Sequence, residues 1–409
     1  MKYEPYYVED VKKESSKKRF SVVSCFAGGG GSSTGYRLAG GNILLINEFV
    51  EEAIASYKEN YPDTPVLVDD IKKYNSQDFL NLANIKPREL DILDGSPPCS
   101  AFSVAGKREK GWVGYQKDTR KTYFDDDGNI VQEGELEVKE GIKNYSDGKV
   151  QEGIEDLFLE FVRVAKDIQP KVIVAENVKG ITFGEAREKL FEFINSFEEI
   201  GYQVTYSVLS AADFGVAQAR ERTIFVCIRN DVCDEIGLNI LNLNGVFPTP
   251  TTPQHIGLQD AIEDLKNDEE EVKMLRDFYE SSFQKKFLDP LPFRPSKHTK
   301  PSDKQFRDWN PKGSCFNMIR PAPHLPCPTL TQQGQKKGLS GVFHYAENRK
   351  LTIKELKRIM SLPEDYKLTG DFDKQAERIG RMVAPKMMAA VADSIYEKVL
   401  KPYNEAMKG

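Results

Sequence analysis

Residues 20–25, Phe20-Ser21-Val22-Val23-Ser24-Cys25, run directly into Phe26-Ala27-Gly28-Gly29-Gly30-Gly31-Ser32-Ser33-Thr34-Gly35. The first six read as a short β-strand, the glycines as a tight turn, and helix is expected over 36–39. A glycine turn between strand and helix lets backbone approach a nucleotide-type cofactor, because no Cβ stands in the way. Phosphate loops, dinucleotide sites and plain turns share that feature, so neighbouring residues must narrow it. No Gly-Lys-Ser/Thr ending follows, which argues against a Walker loop. Glu48 ends the next apolar strand, where a carboxylate can accept hydrogen bonds from ribose hydroxyls. Asp70 follows the third strand and could reach an adenine edge.

Outward from this stretch, apolar strands alternate with helices. Strands are expected at 42–46, 65–68, 90–93, 171–175, 203–209 and 223–228, and helices at 53–57, 154–167 and 187–197. That order defines an α/β fold with a parallel sheet between two helix layers. It stops near residue 230. Residues 245–345 are rich in Pro, Lys and Gln, and helix returns at 353–360 and, after a turn at Gly380, at 384–399. The expected organisation is a catalytic domain over 20–264, a recognition region over 265–345, and C-terminal helices over 346–409 that return to the first domain. Within the catalytic domain, 122–150 reads as an inserted hairpin or meander, with turns at Asp127-Gly128 and Asp147-Gly148.

The chain has 409 residues, 39% hydrophobic and 29% charged, enough for one large domain with a smaller one attached. No apolar run approaches the roughly 20 residues that span a bilayer, and residues 1–19 are too polar for a secretory signal. The six cysteines form no CxxC pair, which argues against a zinc ribbon or a disulfide framework and for a reducing cytoplasm. A net charge of −6 points away from a generic nucleic-acid binder. Locally the balance reverses: Lys107, Arg108, Lys110, Lys117, Arg120 and Lys121 face only Glu109 and Asp118, and 281–312 is basic as well. Both flanks suit phosphate contact, although for any single lysine there a solvated surface role is the plainer reading.

Three further segments carry chemistry. Asp94-Gly95-Ser96-Pro97-Pro98-Cys99 follows the fourth strand, and two prolines hold Cys99 at the sheet edge ahead of basic residues that favour thiolate. Glu176 ends the strand 171–175, where partial burial would let a carboxyl act as an acid. Gln218, Arg220 and Arg222 alternate along an extended stretch, so two guanidiniums would share one face toward an anionic or carbonyl-bearing ligand. Taken singly, an inert cysteine, a surface carboxylate and an edge ion pair are the plainer readings.

Together, FAGGGGSSTG (26–35), NE (47–48), DDI (69–71), GSPPCSAFSVAG (95–106), AENVKG (175–180), QARER (218–222), CPTLTQQG (327–334), RKLTIKELKRIMSLPEDY (349–366) and RIGRMVAPKMMAAVADSI (378–395) resemble, in order, the motifs of the DNA cytosine-5 methyltransferases. The resemblance implies a Rossmann-like S-adenosylmethionine-dependent catalytic domain with a smaller target-recognition domain, of bacterial or phage restriction–modification type. It implies a cofactor pocket of Phe26, Gly28, Gly30, Glu48, Phe49, Asp70, Ile71, Pro98 and Val383, with Phe49 stacked on adenine. Cys99 would attack C6 of cytosine, Glu176 would contact N3 and the exocyclic amine, Arg222 would contact O2, and Arg220 would support it. Asn177 would help position the Pro98-Cys99 loop. The expected partner is double-stranded DNA, met by Ser103, Lys107, Gln218, Thr329, Gln332 and Gln333. A separate restriction endonuclease, a monomeric state and a cytoplasmic location complete the expectation.

For base reading, Gln332, Gln333 and Gln335 are the side chains best suited to adenine, and Lys336 and Lys337 to guanine or phosphate. Two residues depart from the family pattern at the cofactor: Ser24 stands where an acid is usual and Arg381 where an asparagine is usual. A tRNA methyltransferase of the same fold is the nearest rival, but its Cys-Phe-Thr run after the glutamate motif is replaced here by Lys179-Gly180-Ile181. A catalytically dead DNA-binding relative is the rival from another class, and the intact Cys99, Glu176 and Arg222 argue against it.

Overall fold

Five strands of β-branched and aliphatic residues lie parallel in one sheet: β1 (Phe20–Cys25), β2 (Gly41–Glu48), β3 (Val66–Val68), β4 (Ile92–Gly95) and, after the insertion, Val172–Val178. The computed structural model describes residues 3–97, 115–118, 121–124, 130–133, 136–138, 142–144, 150–152, 156–184, 186–282, 285–302, 304, 308, 318–336 and 341–408. Insertion strands β5 (Tyr115–Asp118), β6 (Lys121–Phe124), β7 (Ile130–Glu133), β8 (Leu136–Val138), β9 (Ile142–Asn144) and β10 (Val150–Glu152) form three antiparallel pairs, β5 with β8, β6 with β7 and β9 with β10. The hairpins flank both expected Asp-Gly turns, but pairing begins at Tyr115, ahead of the expected boundary.

With β11 (Val172–Val178), β12 (Tyr202–Ser210) and β14 (Glu221–Arg229) added, the central sheet has seven strands in the order β12-β14-β11-β4-β1-β2-β3, while β13 (Gln218–Ala219) lies outside it, paired with Cys327–Pro328. Only β14 runs antiparallel, to both β11 and β12. Strand burial on both faces explains the near-continuous apolar runs. Along β11, Val172 and Val174 feed one core while Ile173 and Ala175 feed the other; along β14, Ile224, Val226 and Ile228 oppose Phe225 and Cys227. The strand order reverses between β4 and β1, because β2 and β3 lie on one side of β1 and β4 and β11 on the other. Ligands of such sheets bind at that reversal, beyond the C-terminal strand ends.

Three expectations change. Residues 3–15 are part of the fold: helix α1 (Val8–Ser15) buries Val8 and Val11, Tyr3 is buried, and Tyr6 donates to the Ser361 carbonyl at 2.6 Å. The recognition region holds more than short elements and loop, since Glu269–Ser281 forms a helix of 13 residues, N-capped by Asp268, that buries Leu275 and Tyr279. Gly380 is no turn; it lies inside the helix Phe372–Arg381, where a Cβ would meet the backbone of Thr331 and Gln332 at 2.6–2.8 Å.

The C-terminal segment returns to the sheet, as expected, through a glycine face. Helix α2 (Gly31–Leu38) starts at Gly31, five residues ahead of the expected 36–39. A Cβ at Gly31 would meet the Val383 carbonyl at 2.3 Å, and one at Gly35 would meet the Pro385 carbonyl at 2.6 Å and Met388 Cβ at 2.7 Å. These glycines, four apart on one side of α2, let the helix Pro385–Ile395 lie against it at backbone distance. Gly35→Ala is therefore expected to destabilise the protein by about 1–3 kcal/mol, since the obstructing atoms are largely backbone. Gly245→Ala, where a Cβ meets nothing within 4 Å, should change stability by less than about 0.5 kcal/mol. Urea unfolding of the two variants checks this, and equal stabilities would refute it.

Candidate active site

The C-terminal ends of β1, β2 and β11 carry Phe26, Glu48 and Glu176, beside the reversal of strand order where ligands of such sheets bind. Phe26, Gly28 and Gly30 hold φ of 55°, 56° and 91°, so the chain leaves β1 in left-handed steps that glycine accepts readily and phenylalanine does not. Around Gly28 a Cβ would find nothing within 4 Å, which leaves that backbone open to a ligand, whereas Gly30 is closed in by Tyr57 and Tyr366. Glu48, buried at the end of β2, accepts from Gly28 N–H at 2.6 Å through Oε2, and from Phe49 N–H at 2.9 Å and Val50 N–H at 2.8 Å through Oε1. A carboxylate has roughly four acceptor sites, so Glu48 can hold the loop and still take a ribose hydroxyl. Asp70 caps the short turn Ile71–Lys73 through Lys72 N–H at 3.0 Å, with Ile71 buried beneath it. Phe49 is half-buried beside Glu48. Val383 is buried where the returning chain crosses Gly31.

Glu176 stands near the end of β11, and its Oε1 lies 2.7 Å from Arg222 Nε, with the two side chains 11% and 13% exposed. Burial pulls the Arg222 guanidinium below its ordinary range, partly offset by Glu176. Arg220 is buried deeper, and burial followed by repulsion from Arg222 lowers it further.

Of the three side chains expected to share a face, Gln218 and Arg220 turn to one partner, Leu330, while Arg222 pairs with Glu176. Gln218 and Arg220 both grip Leu330: Gln218 Oε1 accepts from Leu330 N–H at 3.0 Å and Arg220 Nη1 donates to its carbonyl at 2.9 Å. The strand breaks at residue 220, whose N–H bonds back to the Gln218 carbonyl. Gln218 is wholly buried, with its amide also against Met360, so its placement gives it a packing role instead of the expected DNA contact. Thr329 is half-exposed and donates to the Ala219 carbonyl at 3.0 Å.

The expected reading loop splits. Gln333 is exposed and Gln332 half-buried, but Gln335 is 1% exposed and cannot meet a base where it stands. Lys336 pairs with Glu377 at 2.5 Å, and Arg381, in the asparagine position of the family, donates to the same carboxylate at 2.6 Å. Burial pushes Glu377 up, yet Lys336 and Arg381 outweigh it and leave the carboxyl below its usual range. A residue that sequence reading missed, Lys350, is buried, donates to the Gly334 carbonyl at 3.0 Å and lies 4.1 Å from the Phe343 ring centre. Burial pushes its ammonium down to about 7. Its position directly after Arg349 in the RKLT run was the available signal. Pro98, Cys99, Ser103, Lys107 and Lys337 lie outside the described residues.

Asp94, also missed, is 2% exposed and accepts from Ser24 Oγ at 2.6 Å, Ser32 Oγ at 2.8 Å and Tyr36 OH at 3.1 Å. Burial raises its carboxyl to about 6 against the three hydroxyls, and the nearby charge of Glu176 adds to the rise.

A seven-stranded sheet with one reversed strand, a glycine loop after β1 and an acid at the end of β2 defines the S-adenosylmethionine-dependent methyltransferase class. The model of the C-5 cytosine-specific DNA methylases matches residues 20–134 and 141–397, and the chain belongs to that family; it is a DNA cytosine-5 methyltransferase. It is 29% identical over 385 residues to the Type II methyltransferase M1.HphI of Haemophilus parahaemolyticus, covering 92% of this chain and 86% of the relative. It is 26% identical over 422 residues to M.DdeI of Desulfomicrobium norvegicum, covering 92% and 88%. Among solved structures, a DNA modification methyltransferase encoded within an E. coli prophage superposes with a TM-score of 0.59 at 19% identity, covering 93% and 99%. The S. pombe Dnmt2 methyltransferase does so with 0.55 at 14%, covering 94% and 99%. Family and fold imply S-adenosylmethionine as methyl donor, and the open backbone at Gly28 beside Glu48 fits it.

The raised Asp94 has a stability signature. An acid whose folded pKa lies at about 6 against 3.8 binds its proton more tightly when folded, so its ionisation is a penalty that grows as pH rises from about 4 to 6 and is full above. Two units correspond to roughly 3 kcal/mol as an upper bound. Asp94→Asn should therefore gain melting temperature relative to wild type between pH 4.5 and pH 8. A difference that stays constant across that range would refute the assignment.

Proposed function

We propose that this enzyme methylates C5 of a cytosine extruded from duplex DNA, with Cys99 as the covalent nucleophile, as the modification half of a restriction–modification system. The Glu176–Arg222 pair at the strand ends, 2.7 Å apart, carries the reading, because it offers a carboxylate and a guanidinium together to one polar ring edge. Glu176 Oε1 holds Arg222, and Oε2 makes no hydrogen bond among the described residues, so it is available to N3 and the exocyclic amine. Arg222 then meets O2, and Arg220, fixed to Leu330, stiffens the stretch behind it. Proton transfer to N3 as the Cys99 thiolate adds at C6 makes C5 nucleophilic, and loss of the C5 proton with release of Cys99 restores the ring. S-adenosylmethionine, bound by the glycine loop, Glu48, Phe49, Asp70, Ile71 and Pro98, supplies the electrophilic methyl group. Extrusion is required because C6 is buried in a stacked duplex.

The four cysteines among the described residues support Cys99 by contrast, Cys315 lying outside them. Cys25, Cys227, Cys233 and Cys327 are all buried, and burial pushes each thiol up, Cys233 to about 12. Such thiols are inert nucleophiles. The protein is taken to act as a monomer in the cytoplasm, with any cognate endonuclease a separate chain, and Ser103 and Lys107 to meet DNA.

Cys99→Ser should abolish methyl transfer and leave the melting temperature unchanged, since an alcohol is barely ionised at neutral pH. A duplex with 5-fluorocytosine at the target should trap wild-type enzyme through Cys99 when cofactor is present. Label on another cysteine, identified by peptide mass spectrometry, would sink the assignment. For target choice, Gln332→Ala with Gln333→Ala should relax site selection and spare cofactor binding, whereas Gln335→Ala should act through stability alone. Bisulfite sequencing of plasmid from expressing cells reads this, and an unchanged site at unchanged frequency in the double variant would move specificity elsewhere.

A further inference from the structure

The crevice lies where the strand order reverses, between the parallel neighbours β1 and β4, and Asp94 stands near the C-terminal end of β4 beside it. Asp94 is the register partner of Ser24 across that strand pair, so the two side chains leave the sheet on the same side. Ser32 and Tyr36 reach the carboxylate from α2, and their spacing of four residues puts them on one helix face. Asp94 thus joins three pieces of chain: the end of β1, the first two turns of the helix that follows the glycine loop, and β4, four positions ahead of Pro98 and five ahead of Cys99 in the sequence.

We propose that Asp94 is a positioning residue for methyl transfer, holding the cofactor loop and the Cys99 loop in register so that methyl donor and thiol meet the same cytosine. This rests on the reading of Cys99 given above. A buried carboxylate with only hydroxyl donors is a poor choice for stability alone, because a neutral side chain would avoid desolvating a charge. What the charge adds is three directional acceptor contacts, converging on one carboxylate from β1 and from α2, the two elements that flank the glycine loop. Ser24 fits the same account. The site has room for one acid, and the register pairing lets it hang from either strand: Asp94 carries it here, and Ser24 answers as donor.

Two variants test this. Asp94→Asn keeps size but can accept through one oxygen only, so it is expected to stay folded at pH 8 with a melting temperature not below wild type. Its kcat should fall at least about tenfold, while the Kd for S-adenosylhomocysteine by calorimetry changes less than about threefold. The exchange Ser24→Asp with Asp94→Ser returns the acid to the cluster from the partner strand, and should restore kcat to within about threefold of wild type. Ser24→Asp alone, with two acids face to face, should be destabilised. Wild-type kcat in Asp94→Asn, or a loss matched by loss of folded protein, overturns the proposal, as does an exchange variant that folds with the kcat of Asp94→Ser alone. Failure of wild-type enzyme to form the 5-fluorocytosine adduct would instead overturn the Cys99 reading.

Discussion

The bare face of α2 is the constraint on which the rest depends. With no side chain at Gly31 or Gly35, the helix Pro385–Ile395 lies against α2 with carbonyls where Cβ atoms would otherwise stand. That contact closes the chain on itself, so its last helices shelter the loop its first strand begins. Met382 and Arg378 cover Gly29, and Val383 crosses Gly31. Gly380, one turn earlier, presses on Thr331 and Gln332, so the packing that closes the cofactor loop also braces the segment expected to read DNA. Cofactor loop and reading loop are two sides of one joint.

Around that joint, buried charge is handled by pairing. Glu48 is saturated largely by backbone N–H groups, Glu377 by Lys336 and Arg381, Glu176 by Arg222, and Asp94 by hydroxyls. Each arrangement removes a charge from water and returns hydrogen bonds in fixed directions, which serves geometry more than stability. Asp94 shows the balance most openly, since its carboxyl remains near 6 even with three donors. Lys350, pushed down to about 7 under Phe343, holds the Gly334 carbonyl on similar terms. Sites that must hold reacting groups in place commonly carry such costs.

Much of this was legible in sequence because it is local. Strand–glycine–helix order, alternating apolar runs and the acid at the end of β2 depend on side-chain period and backbone freedom, and they pointed to the α/β class and to the strand ends where Glu48 and Glu176 stand. The motif order identified the family for the same reason. Register, break points and burial of single polar residues are not local. That Asp94 faces Ser24 follows from pairing between strands 70 positions apart in the chain. That Gln218 and Gln335 are interior, and that Gly380 sits in a helix, follows from contacts with Leu330, Met360 and Thr331 that no window of sequence contains. A polar side chain reads as a surface group until its partners are known, and only tertiary packing supplies the partners.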